Sequence, residues 1–228
     1  MNKNEQKKAA EAAAKKRKLL LLAAIAAVVV VAVLAVVFVP KLGKSTAKSA
    51  DQLTTFDSFE AGYTYYADID IKDYGMITFR LETEKAPISA ANFVSLATSG
   101  FYNGLTFHRI IEDFMMQGGD PKGNGTGGSD KNIKGEFKAN GYDTGLSHTR
   151  GAVSMARSSA YDSASSQFFI VHKDSTFLDG NYAVFGYVTE GMDIVDKICT
   201  DAKPTDSNGT IPAASQPVMN SVTIRKVA

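Results

Sequence analysis

Residues 19–39, LLLLAAIAAVVVVAVLAVVFV, are 21 consecutive apolar residues. No other stretch narrows the fold of this chain as much. At about 1.5 Å of rise per residue, a helix of that length matches the roughly 30 Å hydrocarbon core of a bilayer. A helix on the surface of a water-soluble domain keeps a polar face, which this run lacks. The run is therefore expected to be a transmembrane helix. Residues 1–18 before it hold seven cations, Lys3, Lys7, Lys8, Lys15, Lys16, Arg17 and Lys18, against Glu5 and Glu11. Such a basic tail stays in the cytoplasm and sends the C-terminal bulk to the other side of the membrane. A secretory signal has a shorter apolar stretch of about 7–15 residues. An uncleaved signal anchor is thus the expectation, although Ser45-Thr46-Ala47 has the small-x-small form of a cleavage site and leaves cleavage after Ala47 open.

Beyond the run, residues 40–58, PKLGKSTAKSADQLTTFDS, are rich in Lys, Ser, Thr and Ala without periodicity and read as a flexible linker. The folded domain is expected over 59–228. Outside the basic tail the chain carries 18 basic and 22 acidic residues, a net charge of −4. Nucleic acid is an unsuitable partner for it, because phosphate binding needs a basic face. With Cys199 as the one cysteine, an intrachain disulfide and a cysteine-based metal site are excluded. His108, His148 and His172 are far apart and lack metal-ligand spacing, so they read as hydrogen-bonded structural or surface groups.

Strand signals dominate the domain. YTYYADIDI (63–71) and MITFRLET (76–83) alternate around KDYG, a hairpin turn. TFHRII, FMMQ, AVSMA, QFFIV, YAVFGYV and SVTIRKV read as further short strands. Pro87 to Ser99 reads as a helix stopped by Gly100, with Phe93, Leu96 and Ala97 on one face, and residues 190–200 as a second helix burying Met192, Val195, Ile198 and Cys199. About eight strands with two helices suggest a mainly β domain, an eight-stranded antiparallel closed barrel capped by two α-helices.

Three motifs invite a chemical reading. GNGTGG (123–128) satisfies G-x-G-x-x-G, but no helical period follows it, so a glycine-rich surface loop is the better reading than a dinucleotide site. No G-x-S-x-G elbow accompanies the serines and histidines, which argues against a hydrolase. The third is FHRIIEDFMMQGGD (107–120), an apolar run interrupted by Arg109 and Gln117. Were 106–111 a regular strand, Phe107, Arg109 and Ile111 would share a face, and Met115 and Gln117 would share one on the next strand. Spacing alone leaves two readings: an exposed Arg109 paired with a carboxylate, or Arg109, Met115 and Gln117 lining one surface together.

FHRIIEDFMMQGGD followed by GNGTGG, then RGAVSMAR, SSQFFI and FLDGNYAVFGYVTEGMDIV, resembles the cyclophilin family of peptidyl-prolyl cis–trans isomerases over nearly all of 63–228. That resemblance implies the eight-stranded barrel, an enzyme acting on X–Pro bonds of unfolded or exported polypeptides, and neither metal nor cofactor. It places the catalytic arginine at Arg109, and the substrate site at Phe114, Met115 and Gln117 (F-M-x-Q), Ala156 and Arg157 (chiefly through backbone groups), Phe169 as pocket floor, and Phe177, Leu178 and Tyr182 as rim. Many members carry tryptophan at the position of Phe177 and histidine at that of Tyr182. Isomerase activity is still expected here, but cyclosporin binding is expected to be weakened by Phe177. A proline-segment-binding chaperone module with incidental catalysis is the rival reading. Retention of Arg109 favours the enzyme. The anchor, the lack of a disulfide and the SMAR and NYAVFG segments point to the cytoplasmic membrane of a Gram-positive bacterium, with the catalytic domain extracytoplasmic.

Overall fold

Tyr65, Ala67, Ile69 and Ile71 are buried and the residues between them are not, the alternation of a strand with one face on a core. This first strand, β1 (Thr64–Ile71), turns through Asp73 into β2 (Gly75–Leu81). The computed structural model describes residues 59–227. The basic tail, the apolar run 19–39 and the linker to residue 58 lie outside the described residues. Among the described residues no helix is long and apolar enough to cross a membrane.

After β2 come α1 (Pro87–Thr98), β3 (Thr106–Ile111), β4 (Met115–Asp120), β5 (Ala152–Met155), β6 (Phe168–Val171), β7 (Val184–Glu190), α2 (Met192–Asp201) and β8 (Met219–Val227). The eight strands form one antiparallel sheet in the order β3-β4-β6-β5-β7-β2-β1-β8. Its two end strands meet through a short seam rather than a continuous ladder. Thr106 bridges Val218, Phe107 N–H donates to Pro217 O at 2.9 Å, and Met219 N–H donates to Leu105 O at 2.8 Å. The expected barrel closure is thus confined to the start of β3 and the start of β8.

Inside the rolled sheet the aromatic rings of Phe79, Phe93, Tyr102, Phe107, Phe168 and Phe185 interlock, with neighbouring centroids 4.9–6.0 Å apart. This cluster, with Ile69, Ile77 and Ile110, is the main core. The helix α1 contributes Phe93 and Ala97 to it, while Leu96 is only partly buried. A second, smaller apolar cluster lies apart from the main core: Met115, Ala152, Phe169, Val171 and Val184, covered by the half-buried Ile111, Phe114, Leu178 and Tyr182. A sheet needs one apolar face for its core, so a second apolar cluster calls for an explanation.

Candidate active site

Arg109 reaches this second cluster because β3 is not a regular strand. Its register against β4 runs from Phe107↔Gly118 directly to Arg109↔Gln117, which leaves His108 as an extra residue. Such a bulge reverses the in–out alternation. Phe107 and Ile110 therefore enter the main core, while Arg109 and Ile111 turn to the second cluster. The regular-strand expectation that Phe107 shares a face with Arg109 is corrected by this bulge. Opposite it, Gly118 is obligatory, since a Cβ there would lie 2.7 Å from Thr106 O and 2.9 Å from the Phe107 ring.

Strand pairing then sets a row of side chains across four strands: Arg109 on β3, Gln117 on β4, Phe169 on β6 and Ser154 on β5. The Arg109 guanidinium is fixed from one side. Nε–H donates to the Asn208 carbonyl at 2.7 Å, and Nη1 lies 3.3 Å from Gln117 Oε1 and 3.7 Å from Met115 Sδ. Its carbon sits 5.9 Å from the Phe114 ring centroid. Nη2 makes no hydrogen bond among the described residues. Burial pulls the Arg109 pKa below the usual arginine value, opposed by Tyr182 and Asp206. A guanidinium starts so high that it stays charged. Gln117 is oriented in turn, its Nε2–H donating to Gln167 Oε1 at 2.9 Å, while Gln167 Nε2–H donates to Gly127 O at 2.7 Å.

The glycine-rich loop beside these amides is built around a carboxylate of its own. Buried Asp120 accepts the backbone N–H groups of Lys122 at 2.8 Å, Asn124 at 3.1 Å and Gly125 at 2.6 Å. Burial raises the Asp120 pKa, but these donors outweigh it and leave the group below the ordinary aspartate range. The amides that a phosphate would need are therefore occupied, which agrees with reading GNGTGG as a surface loop.

The floor rests on an imidazole. His148 lies under Phe169, the rings stacked at 5.9 Å and 13°. Its Nδ1 is 2.8 Å from Asp179 Oδ1 and its Nε2 is 3.0 Å from Ser154 Oγ. Serine, histidine and aspartate thus line up in the order of a hydrolase triad. Ser154 has 0% of its surface exposed, so its hydroxyl cannot attack a substrate, and the chain of bonds serves the floor. Asp179 also accepts His148 N–H at 2.7 Å and Ser147 Oγ–H at 2.6 Å, tying down the segment that carries the rim. On that rim Phe177, 50% exposed, lies 5.7 Å from Phe114, and Tyr182 meets Phe169 edge-on at 6.1 Å.

The structure gathers Arg109, Phe114, Met115, Gln117, Ala156, Phe169, Leu178 and Tyr182 around the second cluster, with Phe177 against Phe114. Ala156 N–H donates to Gln167 O at 2.9 Å and is spent within the fold. Arg157 is drawn away from the floor, over the Tyr182 ring at 4.7 Å. His148 fits its reading as a hydrogen-bonded structural group, but the sequence does not single out Asn208, Gln167 and Asp179 as supports, because each is linked to Arg109, Gln117 or His148 across tens of residues. The turn pairs Asp179-Gly180 and Asn208-Gly209 are the local signals among them.

A family model described as cyclophilin type peptidyl-prolyl cis-trans isomerase/CLD matches residues 66–228. The chain belongs to the cyclophilin family. Among similar proteins, the peptidyl-prolyl cis-trans isomerase of Acinetobacter baylyi is 46% identical over 144 residues, 59% of this cyclophilin and 71% of that protein. Peptidyl-prolyl cis-trans isomerase B of Bacillus subtilis is 47% identical over 123 residues, 54% of this chain and 82% of the relative. The crystal structure of a Cryptosporidium parvum cyclophilin superposes with a TM-score of 0.63 at 27% identity, covering 71% of this cyclophilin and 98% of its own chain. The same protein in the presence of the dipeptide Ala-Pro gives a TM-score of 0.62 at 28% identity, covering 70% of this chain and 98% of that one.

Proposed function

We propose that this cyclophilin, a peptidyl-prolyl cis-trans isomerase like the relatives it matches, is tethered to a membrane and acts on X–Pro bonds of exported polypeptides, with Arg109 as the catalytic donor. The barrier to the reaction is amide resonance, about 18–20 kcal/mol. No bond to the enzyme is made, and no proton has to move. As the X–Pro bond twists, the prolyl nitrogen loses conjugation and regains a lone pair. A donor held where that nitrogen will sit stabilises the twisted form more than either planar form, and this difference lowers the barrier.

One observation carries the reading: the guanidinium of Arg109 is held from one side by Asn208 O, with Gln117 Oε1 near Nη1, beside an apolar floor of Met115 and Phe169. A fixed, planar, permanently charged donor next to a surface suited to a proline ring is what the chemistry asks for. The apolar floor excludes water and so strengthens the hydrogen bond to the twisted amide. Gln117 is placed to hold a neighbouring peptide group while the bond turns. The tether rests on the run 19–39 and the basic tail, whose charge asymmetry puts the catalytic domain outside the cytoplasmic membrane. That topology points to exported chains as the substrates, and the Ala-Pro dipeptide named with the Cryptosporidium parvum structure supports their containing proline.

The test is a protease-coupled proline-peptide assay on the full-length chain in detergent. Arg109→Ala should lower kcat/KM by about a hundredfold or more, as loss of one transition-state donor does, with unchanged circular dichroism. Near-full activity in that variant overturns the assignment. In the producing cells the protein should fractionate with membranes and be cleaved by protease added to protoplasts. Recovery in the cytosolic fraction overturns the tether.

A further inference from the structure

Beyond Tyr182 the wall of the site contains an arginine, half-buried, most of whose N–H donors are taken by backbone carbonyls and whose guanidinium lies among three rings. Arg157 follows β5. Its Nε–H and Nη2–H donate to the Asn181 carbonyl at 3.0 and 2.8 Å, and Nη1 donates to the carbonyls of Ser158 at 2.9 Å and Ser159 at 3.3 Å. Its guanidinium carbon lies 4.7 Å from the Tyr182 ring centroid, 5.0 Å from that of Phe137 and 5.1 Å from that of Tyr161. No carboxylate lies within salt-bridge distance of it among the described residues.

These contacts join segments that are distant in the chain: Phe137 after the glycine-rich loop, residues 157–161 after β5, and Asn181-Tyr182 before β7. Tyr182 is the side chain through which this reaches the chemistry, because its ring stands edge-on to Phe169 and to the supporting His148, at 6.1 and 6.4 Å. A cation recognising a substrate carboxylate needs donors open to the groove. Here four of the five N–H donors point at three backbone carbonyls, and three rings stand within 5.1 Å of the guanidinium carbon. A planar fork can do this, whereas the point charge of a lysine cannot reach several carbonyls and stack at once.

We propose that Arg157 is a positioning residue, a clamp that fixes Tyr182 and the wall beside the proline floor, and that its charge is not read by the substrate. The inference rests on the isomerase reading above. It implies that this part of the groove is selective by shape and indifferent to acidic residues flanking the proline.

The experiment compares wild type, Arg157→Lys, Arg157→Gln and Tyr182→Leu, and the double variant Arg157→Gln/Tyr182→Leu, in the full-length chain. Peptides carry Ala or Glu on either side of the proline. Both Arg157 variants should raise KM about tenfold with kcat little changed, the size expected for a loosened pocket wall. The loss should be equal for Ala and Glu peptides, and the double variant should be no worse than Tyr182→Leu, because the two act as one unit. Wild-type KM in Arg157→Lys, a loss confined to Glu peptides, or additive effects would overturn the inference. Where a variant fails to fold, NMR of the wild type decides. The Arg157 Nε–H should be protected from exchange and should respond equally to Ala and Glu peptides. A response to the Glu peptide alone overturns the clamp. An inactive wild type would instead refute the isomerase reading itself.

Discussion

Phe169 shows how a single ring is made rigid enough to shape a proline site. It is flat against His148, and His148 is tethered at both nitrogens, to Asp179 and to Ser154. With Nδ1–H donating to the carboxylate and Nε2 accepting from the serine hydroxyl, a neutral imidazole satisfies every partner. Burial lowers the His148 pKa, against the pull of Asp179, and so favours that neutral form. Phe169→Leu should keep the domain folded yet lower kcat/KM by roughly tenfold or more, since a pocket missing part of its apolar wall loses that much. Unchanged turnover of proline peptides would remove Phe169 from the floor. The identity of these residues was legible in QFFI and FHRI only through family resemblance. Spacing alone left Arg109 free to be a surface ion pair, because no period in the sequence announces the bulge at His108 that re-aims it.

At the scale of elements, α1 was readable from Pro87 at its start and Gly100 past its end, and the strands from their alternation. What could not be read was how the helix is capped. Ala86 at its N-cap has no side-chain acceptor. The carboxylate of Glu136, fully buried, does this work from 47–48 residues away, accepting Ile88 N–H at 2.9 Å and Ser89 N–H at 2.7 Å, with Ser89 Oγ–H at 2.6 Å. A carboxylate at a helix N-terminus also suits the helix dipole. Since Glu136 directly precedes Phe137, the cap anchors the segment that packs under Arg157. Glu136→Ala would strand three donors in the interior, each worth about 1–3 kcal/mol when left unmade. Its denaturant midpoint should fall by the equivalent of roughly 3 kcal/mol. A midpoint within error of wild type would show that α1 is capped by other means.

Across the whole molecule, the sheet works on two sides, one carrying the main aromatic core and the other the smaller cluster that holds Arg109. Around these clusters the fold buries titratable residues, and these set how stability responds to acid. Burial, with Arg109 nearby, pushes the pKa of His108 down against the opposing pull of Asp120, as burial does for His148. A lowered folded pKa means that the unfolded chain takes up a proton which the folded chain refuses. Each histidine's contribution is therefore complete above the unfolded imidazole value of about 6.5 and is lost as pH falls below it. Glu136 acts in the opposite sense: burial raises its pKa against its Ser89 and Ile88 donors, so acidification through its folded pKa favours the native state. Two imidazoles against one carboxyl leave a net loss on the acid side. The denaturant midpoint of the full-length chain should be lower at pH 5 than at pH 7, with a slope of at most about 1.4 kcal/mol per pH unit for each histidine. Glu136→Gln keeps an acceptor at the helix start but cannot titrate, so its fall between pH 7 and pH 5 should be steeper than that of the wild type. An equal or higher wild-type midpoint at pH 5, or a shallower fall in Glu136→Gln, would mean that the two buried imidazoles do not set the acid limb.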